Sequence, residues 1–172
     1  MPEHLRPIHS TIPLATAEKI VDAALAARRK EGLLPMVVAV LDSGGNLVAY
    51  KREDGSAVMR FDIAFGKAWG CLGMGMSTRL IRDRLAARPA FQSALASVSD
   101  GRFIPVPGGV LILDAAGTAI GAVGISGDAS DKDEYCAIEG IRAAGLASEP
   151  AEPQPEWRKA GLRVRRRITE DC

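Results

Sequence analysis

Met36-Val37-Val38-Ala39-Val40-Leu41, then Asp42-Ser43-Gly44-Gly45-Asn46, then Leu47-Val48-Ala49-Tyr50-Lys51-Arg52: the reading of this stretch decides the fold class. A short run rich in β-branched residues meets a cluster of turn-forming residues and runs back, the pattern of a β-hairpin. Strands joined by so tight a turn must be antiparallel. The same chemistry returns downstream, where Gly108-Gly109-Val110-Leu111-Ile112-Leu113 is followed by Asp114-Ala115-Ala116-Gly117 and then Thr118 to Ser126. The segments after the two turns diverge in length, so this is similar turn chemistry and not an internal repeat.

Helical spacing fills the intervals. From Thr16 to Glu31 the apolar residues Ile20, Val21, Ala24 and Leu25 share a face, and Gly32 stops the helix. Arg60 to Met74 sets Phe61, Ala64, Phe65, Ala68 and Leu72 on one face, yet it contains Gly66, Gly70 and Gly73, each costing up to about 1 kcal/mol against alanine. Those glycines imply the close approach of a neighbouring helix or of a ligand. Ser77 or Thr78 caps a short helix ending before Pro89, Phe91 to Val98 adds one or two turns, and Lys132 to Ala144 forms the last helix, capped by Ser130 or Asp131 and stopped by Gly145. The order predicts an α/β (α+β) protein, an antiparallel sheet covered by helices, and disfavours a Rossmann sheet.

The 172 residues, 47% hydrophobic and 25% charged, suit one globular domain. The expected boundaries are an N-terminal extension over 1–15, a domain over 16–147, and a Pro-rich linker with a basic tail over 148–172. The longest aliphatic run, Met36 to Leu41, falls far short of the roughly 20 residues that span a bilayer, so no membrane partner is expected. Basic and acidic residues number 22 and 21, leaving no bulk field for nucleic acid. The arginine-rich tail after Trp157 reads first as a solvated or subunit-clamping segment. Cysteines 71, 136 and 172 lack the spacing of a CxxC metal or redox site. They fit a reducing, cytoplasmic setting, and MPEHLRPIHS shows no secretory pattern.

Four pieces, in order, resemble one family. Leu41 to Gly55 is similar to the signature hairpin of the GlcG/HbpS-like, or haem-degrading domain, family; Asp62-Ile63-Ala64-Phe65-Gly66-Lys67-Ala68 to its second helix; Pro107-Gly108-Gly109 to its glycine step; Gly121 to Gly127 with Asp133-Glu134-Tyr135-Cys136-Ala137 to its last strand and helix. The resemblance spans about Thr16 to Leu146. It implies a profilin-like fold with a five-stranded antiparallel sheet, usually in homo-oligomers. It also implies a role as a haem-binding or haem-degrading protein, a cobalamin-associated accessory domain, or a protein of small-acid catabolism.

Three functions follow from the candidate residues. The first is binding of a small anionic ligand, haem or another tetrapyrrole, in a pocket between sheet and helices. Histidine is the commonest haem ligand, but the chain has only His4 and His9, both outside the matched region; Tyr50, Tyr135, Met74 and Met76 are the substitutes. Arg52, beside Asp54 and Gly55, either receives an anion in bidentate fashion or pairs with Glu53 or Asp54. The second is a cofactor-independent lyase, isomerase or hydrolase acting on a small carboxylate. Lys67 would supply the cation, Glu134 a general acid or base facing it across the pocket, and Gly108-Gly109 a backbone nest, with Ser126 and Asp133 flanking. The bland readings are an outward-pointing Lys67, a bulge at Gly108-Gly109, and helix-dipole placement of Asp133 and Glu134. The third is an oligomeric scaffold. No Walker loop, HExxH, GxSxG or dinucleotide fingerprint is present, and no metal site is expected.

Overall fold

The computed structural model describes residues 8–162. Both anticipated hairpins are present: β1 (Val37–Asp42) with β2 (Leu47–Arg52), and β3 (Gly109–Leu113) with β4 (Ala119–Ser126). Their turns are built alike. Asp42 Oδ1 accepts the N–H groups of Gly44 and Asn46, both at 2.9 Å, and Asp114 Oδ1 accepts those of Ala116 and Thr118 at 2.9 and 2.8 Å. Gly45 and Gly117 take φ of +79° and +80°, a conformation glycine adopts without steric cost. With β5 (Ala147–Glu149), the strands form one antiparallel sheet in the order β2-β1-β4-β3-β5. This is the five-stranded α/β arrangement expected.

Alternation along the strands divides the core. Val38, Val40, Val110, Ile112, Val123 and Ile125 pack under α1 (Leu14–Lys30) and α5 (Ser130–Ala143), against Ile20, Val21, Ala24, Ile138 and Ile141. Burial of each such aliphatic side chain contributes roughly 1.5–3 kcal/mol. On the other face Val37, Ala39, Leu41, Leu111 and Ala122 meet Ala64, Ala68 and Cys71 of α2 (Arg60–Met74). The helix lies almost on the strand backbone: a Cβ on Gly124 would sit 1.8 Å from the Ala64 carbonyl oxygen.

At Gly66 and Gly70 the close approach is made by a loop and not by a neighbouring helix. A Cβ on Gly66 would lie 2.6 Å from Ile104 Cγ1, and one on Gly70 would lie 3.4 Å from Phe103, so a loop is what closes over the outside of the helix. That loop follows α3 (Thr78–Leu85) and α4 (Pro89–Val98). The stretch read as a linker returns to the domain. β5 pairs with β3, and Trp157 stacks on Tyr135 with ring centroids 3.8 Å apart. Of the basic tail after Trp157, residues 163–172 lie outside the described residues, as does His4. Among the described residues, no helix is long and apolar enough to cross a membrane.

Candidate functional site

Lys67 does not point outward. Its side chain, 2% exposed, runs between α2 and the sheet, and Nζ donates to the Ile125 carbonyl at 2.8 Å and to Asp133 Oδ2 at 2.9 Å. The other Asp133 oxygen accepts the Asp128 N–H at 3.0 Å. Burial pushes the Asp133 carboxyl up from the usual aspartate range, while the Lys67 ammonium, its hydrogen bond and the Asp128 N–H pull it down. Gly108 makes the pocket for the ammonium: with φ +113°, a Cβ there would sit 2.8 Å from Nζ. The Gly109 N–H is taken by Thr78 Oγ1 at 2.9 Å. A backbone nest open to ligand is therefore not what Gly108-Gly109 forms in this chain.

Glu134, next to Asp133, turns away toward α3. It is fully buried, its Oε1 lies 3.4 Å from Arg79 Nη1, and neither oxygen has a hydrogen-bond partner. Desolvation pushes its carboxyl up to about 7, opposed by Arg79 and Arg82 and reinforced by Asp131 and Glu149. The expected arrangement of Glu134 facing Lys67 is thus corrected: the lysine's acid is Asp133, and no ion pair joins Lys67 to Glu134. Adjacent residues on a helix point about 100° apart, so only one of the two could reach the lysine.

A different group of residues meets at the β2 edge. Tyr50, 52% exposed, packs on Phe61 with centroids 5.1 Å apart, and Phe61 on Phe65 at 6.0 Å. An open cleft of about 850 Å³ is lined by Leu25, Tyr50, Lys51, Arg52 and Phe61. A second, of about 400 Å³, shares Arg52 and adds Arg28, Pro35, Glu53 and Asp54. Gly55 closes that turn with φ +82°, its Cα side against Pro35. Arg52 pairs with neither Glu53 nor Asp54, because Glu53 is held by Arg28 at 3.2 Å and Arg29 at 3.6 Å and accepts the Met36 N–H. Val37 lies in register between Arg52 and Ser126, so the latter two share the α2 face of the sheet. Ser126 Oγ accepts from Arg60 Nη1 at 3.2 Å.

Among the described residues, neither Arg52 nor Arg60 has a carboxylate within 4.0 Å. Arg60 was not among the residues singled out from sequence. Its signal is only its place as the first residue of α2, beside the half-buried Phe61. Of the sequence-nominated set, Arg52, Asp54 and Gly55 gather at this edge, and Ser126, buried on β4, is joined to it through Arg60; Lys67, Gly108, Gly109 and Asp133 form a closed interior pair site, and Glu134 stands apart.

An antiparallel five-stranded sheet between α1/α5 and α2, with an aromatic and cationic cleft at its β2 edge, defines the class. The profile of the family described as haem-degrading protein HbpS-like matches residues 12–142, and the chain belongs to that family. A 15.0 kDa uncharacterised protein encoded between dhaT and dhaS of Citrobacter freundii is 33% identical over 128 residues, 74% of this chain and 88% of that protein. Klebsiella pneumoniae protein ORFY is similar at 26% identity and TM-score 0.70, over 84% of this chain and 97% of that one. A variant of Streptomyces reticuli HbpS is similar at 28% and TM-score 0.67, over 83% and 92%. The crystal structure of a PduOC–haem complex shares the fold at 23% identity and TM-score 0.72, over 80% and 98%.

Proposed function

We propose that the chain binds a planar anionic ligand of the tetrapyrrole class on the Tyr50–Phe61–Phe65 face, with Arg52 and Arg60 receiving its carboxylates. The observation that carries this reading is the pair of guanidiniums with no carboxylate within 4.0 Å among the described residues, beside the exposed Tyr50 and the half-buried Phe61 and Phe65. A guanidinium presents a planar fork matched to a carboxylate, and an aromatic surface suits a flat π-system. The cleft volume lies within the usual range for small-molecule sites, about 300–1,000 Å³. The family description, and the haem carried by PduOC, agree with this class.

The acid–base enzyme reading has less support, since Lys67 is consumed by Asp133 and Ile125 and Glu134 faces another way. The test is a fluorescence titration with metal-free protoporphyrin. Saturable binding is expected, weakened about 10- to 100-fold by Arg52→Gln or Arg60→Gln, the worth of a hydrogen bond to a charged group. A non-saturating signal, or affinity indifferent to both substitutions, overturns the reading.

A further inference from the structure

Of the Cys, His, Tyr, Met and Lys side chains among the described residues, Tyr50 and Lys51 line the cleft; Met1, His4 and Cys172 lie outside the described residues. Cys71 is fully buried on the sheet-facing side of α2, Cys136 sits in the α1/α5 core, and burial pushes both thiols up, away from the thiolate form a metal needs. Tyr135 is 9% exposed and stacked against Trp157. Met76 Sδ accepts from Arg84 Nη1 at 3.7 Å, and Met74 packs in the Ile81–Leu85–Phe103 cluster. His9 is exposed, but its segment is held at the Asp42–Asn46 turn, where Thr11 Oγ1 accepts the Ser43 N–H at 2.9 Å, the end of β2 remote from Arg52. Lys67 is locked inside, and Lys51 pairs with Asp22. Tyr50 remains. Its ring lines the cleft, its side chain is half in solvent, and it forms no hydrogen bond among the described residues.

We infer that Tyr50 Oη is the iron ligand when the cleft holds a ferric tetrapyrrole, a step that rests on the tetrapyrrole reading above. A phenolate is a hard anionic donor suited to ferric iron, and tyrosinate holds haem iron in some proteins. Arg52 lies two residues on, along the same face of β2, so the ligating oxygen and the carboxylate-receiving guanidinium serve one face of the sheet. Ligation transfers the phenolic proton to solvent and leaves the iron ferric; no electron moves. Phe61, packed on the Tyr50 ring, limits the phenol's freedom.

The experiment separates this ligand assignment from the binding reading. The full chain, Tyr50→Phe, Tyr50→His and His9→Ala are titrated in parallel with metal-free protoporphyrin and with ferric haemin, and the haemin complexes are examined by resonance Raman and electron paramagnetic resonance. Tyr50→Phe keeps the aromatic ring of the binding face and is expected to lose about tenfold or more in haemin affinity beyond any change in its affinity for the metal-free ring, together with the iron–phenolate Raman bands. Tyr50→His is expected to give an imidazole-type spectrum, and His9→Ala the parent one. Parent-like haemin spectra in Tyr50→Phe would overturn the ligand assignment and leave tetrapyrrole binding standing. Failure of the unsubstituted chain to bind the metal-free ring saturably would overturn both.

Discussion

Two charged regions, one beneath α2 and one at the β2 edge, use the same kinds of side chain to opposite ends. Inside, Lys67 and Asp133 are 2% and 1% exposed, and both acid oxygens are occupied. At the edge, Arg52 is exposed, Arg60 is half-buried, and neither has a carboxylate within 4.0 Å among the described residues. A buried charge must be paired to be tolerated, whereas an exposed one costs little unpaired. The interior pair therefore belongs to the architecture, and the edge is where an anion finds cations still available.

The comparison breaks most visibly at Lys67. Lys67→Met leaves Asp133 buried without its partner and is expected to cost about 3–5 kcal/mol in chemical denaturation; unchanged stability would return Lys67 to the list of functional groups. Glu134 comes next. Its folded carboxyl titrates at about 7 against the ordinary 4.5, so the folded state keeps a proton that the unfolded chain has released. Stability from this group is whole below pH 4.5 and falls as pH rises toward 7, by as much as about 3 kcal/mol at roughly 1.4 kcal/mol per pH unit. Glu134→Gln should flatten that slope, and a slope unchanged between pH 5 and 7 would show the carboxyl already ionised there.

A smaller loss is expected from Gly124→Ala, whose methyl group would meet the Ala64 carbonyl. Displacing α2 costs about 1–3 kcal/mol, read as a lower melting temperature, and a parent-like melting curve would mean that the helix yields freely. Smallest in stability is Arg52→Gln, expected to shift unfolding by less than about 0.5 kcal/mol while weakening protoporphyrin. A large destabilisation would give Arg52 a structural partner and remove it from the site. Light scattering with and without residues 163–172 tests the clamp reading of the basic tail; unchanged mass rejects it.

Much of this was legible in the chain. The hairpins at 36–52 and 108–126 announce themselves because turn chemistry and alternation are local, and the helices because a 3.6-residue period is local too. β5 was not legible. Three residues, Ala147–Glu149, in a stretch rich in Pro and Glu carry no strand pattern of their own, and they are strand only because the β3 edge offers hydrogen-bond partners. The site followed the same division. Lys67, Asp133 and Glu134 could be named from sequence as chemistry-bearing residues, but which acid met the lysine depended on rotation about α5. The partnership expected between Arg52 and its sequence neighbours failed because α1 brought Arg28 and Arg29 to Glu53 first.

The sequence by itself therefore determined the antiparallel sheet, the helices that cover it and the family, since these follow from periodicity, turns and motifs carried within a few residues of one another. The tertiary structure alone decided which charges were neutralised inside and which were left at the β2 edge beside Tyr50 and Phe61. Pairing joins residues far apart in the chain, such as Lys67 with Asp133 and Arg60 with Ser126, and only the packing of α2 and α5 onto the sheet brings their side chains within reach.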